Sequence, residues 1–177
     1  MGYILSLLRY LLILFTCFSL SGCFCTKVRV CFTPQENCAA KIIDEIDHSQ
    51  KSIYVQAYTF TSKPIAKSLI RAKERGIDIK VIIDETQVNS EYSVINKLFE
   101  EKIPIWIDYK PAIAHNKVMI IDNKKVITGS FNFTYSASFR NTENLLIIEN
   151  SDPLIGKYVK NWYDRQSQSN PYKPVEE

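Results

Sequence analysis

Two pairs of polar residues within one short stretch could share a single anionic site. His115 and Lys117 are two residues apart, as are Ser130 and Asn132; Asp122 lies between the pairs, and Gly129 precedes Ser130. An imidazole can attack an electrophile or carry a proton, and an ammonium supplies fixed positive charge. An amide and a hydroxyl add neutral hydrogen bonds. That set suits a phosphate oxyanion. The chain contains one other histidine, His48. If the chemistry needs one imidazole to attack and another to protonate, one chain does not suffice.

The intervening residues must bring these groups together. Val118-Met119-Ile120-Ile121 is an unbroken apolar run, which fits a buried strand. On a strand His115 and Lys117 share one face, and Val118 and Ile120 take the other. Asp122-Asn123-Lys124-Lys125 reads as a polar turn, Lys125 to Thr128 as a returning strand, and Gly129-Ser130 as its end. An antiparallel hairpin then returns Ser130 and Asn132 to the side of His115 and Lys117.

The pattern His-x-Lys, four residues, Asp, six residues, Gly-Ser-x-Asn resembles the HKD motif of the phospholipase D superfamily, with every position matched. The likeness extends to Ser52–Phe60 and Gly76–Asp84, which resemble early strands of that family, and to Thr142-Glu143-Asn144 after the motif. A short domain with one motif is most similar to the bacterial Nuc-type endonucleases and the mitochondrial single-motif enzymes. The resemblance implies that His115 is the nucleophile on one protomer and the general acid on the other. It implies that Lys117 and Asn132 bind non-bridging phosphate oxygens, with Ser130 in support. Glu143 would accept a hydrogen bond from the far nitrogen of His115. Asp122 completes the motif's catalytic set by type, although its place in the turn suits a structural tie. The reaction so implied passes through a phosphohistidine and needs no metal and no cofactor.

With 177 residues, 46% of them hydrophobic, the chain can form one packed core. The net charge of +3 does not by itself announce a nucleic-acid binder. Strand patterns at Lys27–Phe32, Ser52–Tyr58, Asp78–Asp84, Ile103–Ile107 and Asn144–Glu149 alternate with helix patterns at Cys38–Asp47, Ser62–Arg75, Glu91–Phe99 and Pro153–Arg165. Ser62 caps one helix, with Pro64 in its first turn and Gly76 past its end. Such alternation predicts one α/β domain over 27–166, a mixed and mostly parallel sheet flanked by helices. The tail, 167–177, is polar and expected to be loose. His48 sits at a polar helix end, where it complements the helix dipole.

Residues 1–22 carry no charge except Arg9, run mostly apolar over Tyr10–Leu20 and end in small residues, as in a secretory signal. Leu20-Ser21-Gly22-Cys23 resembles a lipobox, with Cys23 as the lipidation site. An uncleaved anchor over Tyr3–Phe24 is the competing reading, and either one predicts an exported, membrane-associated domain. Cys31 and Cys38 pair as a disulfide or remain buried thiols, and their spacing is not a zinc pattern.

Nucleic acid is the preferred substrate and phospholipid the alternative; a DNA-capturing surface lipoprotein is a third reading. The loop Thr134–Arg140 offers aromatics and a cation for stacking, unless its rings simply pack. Lys63, Lys67, Arg71, Lys73 and Arg75 form a binding face or a solvated helix side. The need for two imidazoles predicts a homodimer with its motifs facing across a two-fold axis.

Overall fold

The computed structural model of the chain describes residues 25–174. The expected targeting segment 1–22 and the expected lipidation site Cys23 lie outside the described residues. No helix among the described residues is long and apolar enough to cross a membrane.

Eight strands form one sheet: β1 Lys27–Thr33, β2 Ser52–Ala57, β3 Asp78–Asp84, β4 Ile105–Asp108, β5 Lys117–Ile121, β6 Lys125–Gly129, β7 Glu143–Glu149 and β8 Asn170–Pro171. Their order is β1-β7-β6-β5-β2-β3-β4-β8. The helices are α1 Cys38–Asp47, α2 Lys63–Glu74, α3 Ile95–Glu100, α4 Tyr135–Phe139 and α5 Asp152–Gln166. On one face, Ile42 and Ile46 of α1 and Ile65 and Leu69 of α2 pack on Ile53, Val55, Met119 and Ile127. On the other, Ile155 and Trp162 of α5 cover Tyr54, Ile82, Val118, Ile120 and Val126. The Trp162 indole N–H donates to Val55 O at 3.1 Å, so the largest buried ring is also hydrogen-bonded.

The sheet is mixed and flanked by helices as expected, but it is not mostly parallel. Only β2–β3 and β3–β4 pair in parallel; the other five pairings are antiparallel. Parallel neighbours need a crossover, and only α2 and the α3 segment join strands that then pair in parallel. α1 instead carries the chain from the β1 edge to the centre, and β5, β6 and β7 follow one another antiparallel, β6 reaching β7 through α4. Three other differences are local. Residues 135–139, read as loop, form α4, started by the Thr134 side chain accepting from Ala137 N at 3.0 Å. The tail is ordered through 174: Asn170 and Pro171 pair with β4, and Tyr172 is buried edge-on against Phe99. The buried stripe of α5 runs through Ile155 rather than Leu154. Elsewhere the cues hold, with Ser62 capping α2 and Gly76 following it at φ +88°.

The edge strand β1 is fastened at two points. A disulfide joins Cys31 to Cys38 at the start of α1. Arg29 hydrogen-bonds Glu45 of α1 and Glu149 of β7, and Lys125 of β6 also donates to Glu45. Burial alone would raise the Glu45 carboxyl, which is only 4% exposed, but the hydrogen bonds from Lys125 and Arg29 outweigh it and hold the pKa below the ordinary value. A carboxyl depressed in the folded state stabilises above its unfolded pKa, and that stability is lost as pH falls through the folded value. Glu45→Gln is expected to cost on the order of 2–3 kcal/mol at neutral pH. That is below the usual cost of breaking a buried pair, because both cations reach water. Urea midpoints measured against pH should show a shallower acid limb in the variant.

Candidate active site

His115, Lys117, Ser130 and Asn132 gather at one end of the sheet because the hairpin β5–β6 has the register its apolar pattern demands. Met119 pairs with Ile127 and Ile121 with Lys125. Asp122 and Asn123 make the turn with φ of +55° and +53°, a conformation that Asp and Asn tolerate best among residues with side chains. At the other end, Gly129 adopts φ +142°, and a Cβ there would lie 2.2 Å from Asn144 O. Only glycine lets β6 pass so close to β7 and aim Ser130 at the site.

His115 precedes β5 and is exposed. Its ring lies 4.4 Å from that of Tyr58, between centroids. Lys117 is buried; its ammonium donates to His115 O at 2.8 Å and sits 4.9 Å from the Tyr58 ring centroid. Burial lowers the Lys117 pKa, opposed by the negative charge of Glu143. Tyr58 was visible only as part of a strand. Its contact with both reactive residues follows from the antiparallel pairing of β2 with β5, where Tyr58 N donates to Asn116 O at 2.8 Å.

Ser130 donates to Glu143 Oε2 at 2.5 Å and accepts from Asn144 N at 3.1 Å. Asn141 donates to the other Glu143 oxygen at 2.9 Å. Among the described residues the hydrogen bonds of Glu143 go to Ser130 and Asn141, and none joins it to His115. Glu143 fixes the Ser130 hydroxyl and supplies negative charge near Lys117. Asn132 Oδ1 is buried with no hydrogen-bond partner among the described residues. An amide oxygen only accepts, so the group of Asn132 that can meet a bound anion's oxygens is its NH2.

Asp122 does not join the site. It lies past the far end of β5, roughly 20 Å along the strand from His115. There it accepts from the backbone N–H groups of Gln50, Lys51 and Ser52 at 2.7–3.2 Å. The expectation that Asp122 belongs with the catalytic residues is thus corrected: it is a structural tie. A different, buried carboxylate holds the segment that leads into the histidine. Asp84, 1% exposed at the end of β3, accepts from Ala114 N at 2.6 Å, and from Thr86 through both its backbone N–H and its hydroxyl. It fixes the residue just before His115. No local motif marks it, since its role depends on a loop thirty residues away.

A family model described as "Cardiolipin synthase, PLD-like domain" matches residues 42–165. A phospholipase D of Rickettsia bellii is 44% identical over 144 residues, covering 81% of this chain and 71% of that protein. The chain belongs to the phospholipase D superfamily. Among solved structures, Nuc from Salmonella typhimurium, a phospholipase D family member, matches at TM-score 0.80 and 36% identity. The match covers 84% of this chain and 99% of that one. NucT from Helicobacter pylori matches at TM-score 0.75 and 26% identity, covering 83% and 99%. The protein is thus a phosphodiesterase of the phospholipase D superfamily, with the fold of Nuc.

If Asp84 positions His115, Asp84→Asn should lower kcat at least tenfold and leave KM within about threefold, because an amide cannot accept from Ala114 and Thr86 together without turning an N–H toward one of them. Steady-state kinetics on a small phosphodiester checks this. Equal changes in both constants would point to general loss of structure instead.

Proposed function

We propose that this superfamily phosphodiesterase is an endonuclease that hydrolyses DNA or RNA without a metal, working as an exported, membrane-associated homodimer. The observation that carries the substrate reading is the placement of the site relative to the N-terminus. Lys27 opens β1 at one end of the sheet, and Thr33 closes it at the other, paired with Glu143. A tether entering at Lys27 therefore leaves the site roughly 20 Å away, the length of a seven-residue strand. That geometry suits a polymer in water better than a lipid in the anchoring bilayer. Phosphatidyl lipid is the second reading, favoured by the name phospholipase D carried by the Rickettsia relatives.

In the proposed reaction a ring nitrogen of His115 attacks phosphorus, and the bond to the leaving oxygen breaks. The protonated His115 of the second protomer gives its proton to that oxygen. Lys117 and Asn132 hold the non-bridging oxygens as charge builds on them. Water then attacks the phosphohistidine, the P–N bond breaks to free the first His115, and the second imidazole, now neutral, takes the proton of the water.

The dimer reading has its own support. α5 covers only part of the second sheet face, and Val28, Val30 and Phe32 of β1 remain 57%, 46% and 51% exposed. Phe32 lies at the site end of this apolar strip, opposite Asn144. A second copy placed there buries the strip.

The full-length protein in detergent, given DNA, RNA and phosphatidylcholine in parallel with EDTA present, separates the two substrates. Cleavage of nucleic acid that survives EDTA and falls by at least a thousandfold in His115→Ala is the expected result. Lipid hydrolysis with intact nucleic acid would move the protein to the second reading.

A further inference from the structure

A cleft of about 1050 Å³ opens beside the site and runs away from it between α2, the segment before α3, and α4. Asn132 lines its inner end, so it is continuous with the proposed phosphate position. Its volume slightly exceeds the usual range for a small-molecule site. It has room for more than the scissile group.

The lining is cationic and aromatic. Lys63, Lys67 and Arg140 face it, and none of them forms an ion pair among the described residues. Tyr92 and Tyr135 line it while remaining 74% and 61% exposed. The Arg140 guanidinium sits 5.7 Å from the Tyr135 ring centroid, which places a cation and an aromatic face together. These groups are distinct from their sequence neighbours. Phe131 and Phe133 are core residues. Arg71 pairs with Asp47, Lys73 donates to Lys102 O, and Arg75 donates to Ile46 O and Ser49. The basic run of α2 thus divides, with its first turns free for a ligand and its last turn used in packing.

We propose that this cleft is a subsite for single-stranded nucleic acid flanking the scissile phosphate, with bases stacked on Tyr92 and Tyr135 and phosphates held by Lys63, Lys67 and Arg140. The proposal rests on the nuclease reading above. Exposed rings can stack only on bases whose faces are free, and a duplex keeps those faces inside its own stack. Lysines near the rings hold a backbone without reading sequence.

The test uses the full-length protein, a single-stranded oligonucleotide, the same sequence as a duplex, and bis(p-nitrophenyl) phosphate, which is too small to fill the cleft. In Tyr92→Ala/Tyr135→Ala, the ratio of kcat/KM on the strand to kcat/KM on the small ester should fall at least tenfold, mainly through KM. Each stacked base is worth on the order of five- to a hundredfold. Lys67→Glu, an exposed-face change that needs no repacking, should lower the same ratio and flatten its salt dependence. An unchanged ratio in both variants, or duplex cleaved as fast as single strand, overturns the cleft assignment while leaving the nuclease reading intact. Hydrolysis of the small ester and of phosphatidylcholine vesicles, with neither nucleic acid cleaved, overturns the nuclease reading itself.

Discussion

The three backbone amides that converge on Asp122 hold the register of the catalytic strand. β5 lies between β6 and β2, and its side chains alternate between two buried faces. A slip of one residue would turn Lys117 to the opposite face and put Val118 in its place. Asp122 prevents this by gripping the start of β2 through Gln50, Lys51 and Ser52. It explains why an acid fixed in spacing to His115 and Lys117 stands at the far end of their strand. It acts on the chemistry through alignment and touches none of the reacting groups.

From that alignment the rest of the site follows as a problem of burying charge. Lys117 is almost enclosed and needs partners, which it finds in His115 O, the face of Tyr58 and the nearby negative charge of Glu143. Glu143 in turn is held by Ser130 and Asn141. The cation is thus fixed before any phosphate arrives and need not reorganise when it does. His115 alone remains exposed and without a carboxylate behind it among the described residues. The group that must react stays open to a substrate and to a second imidazole.

Much of this was legible in the residues, and what was not had a common cause. The hairpin, its turn and the glycine before Ser130 depend on local pattern, and the structure has them where the pattern puts them. Sheet order does not depend on local pattern. The alternation of strands and helices suggested parallel pairing, but β1 crosses to the far edge and pairs with β7, over a hundred residues away in sequence. The same long-range pairing brings Tyr58 to His115, sets Ser130 against Glu143, and lets Asp84 reach Ala114. Each depends on which strands become neighbours, and no spacing within a single segment encodes that. The division of the basic α2 run was hidden likewise, because Asp47 and Lys102, which engage its later residues, come from other elements.

The central claim is that one reaction centre takes an imidazole from each of two chains. Co-expressing the wild-type protein with differently tagged His115→Ala in varied proportions, and measuring phosphodiesterase activity per total protein, tests it directly. If both imidazoles are required, activity follows the square of the wild-type fraction, and an equal mixture retains about a quarter of full activity. A linear fall, with about half the activity at equal mixture, would mean that each chain works alone and would contradict the account.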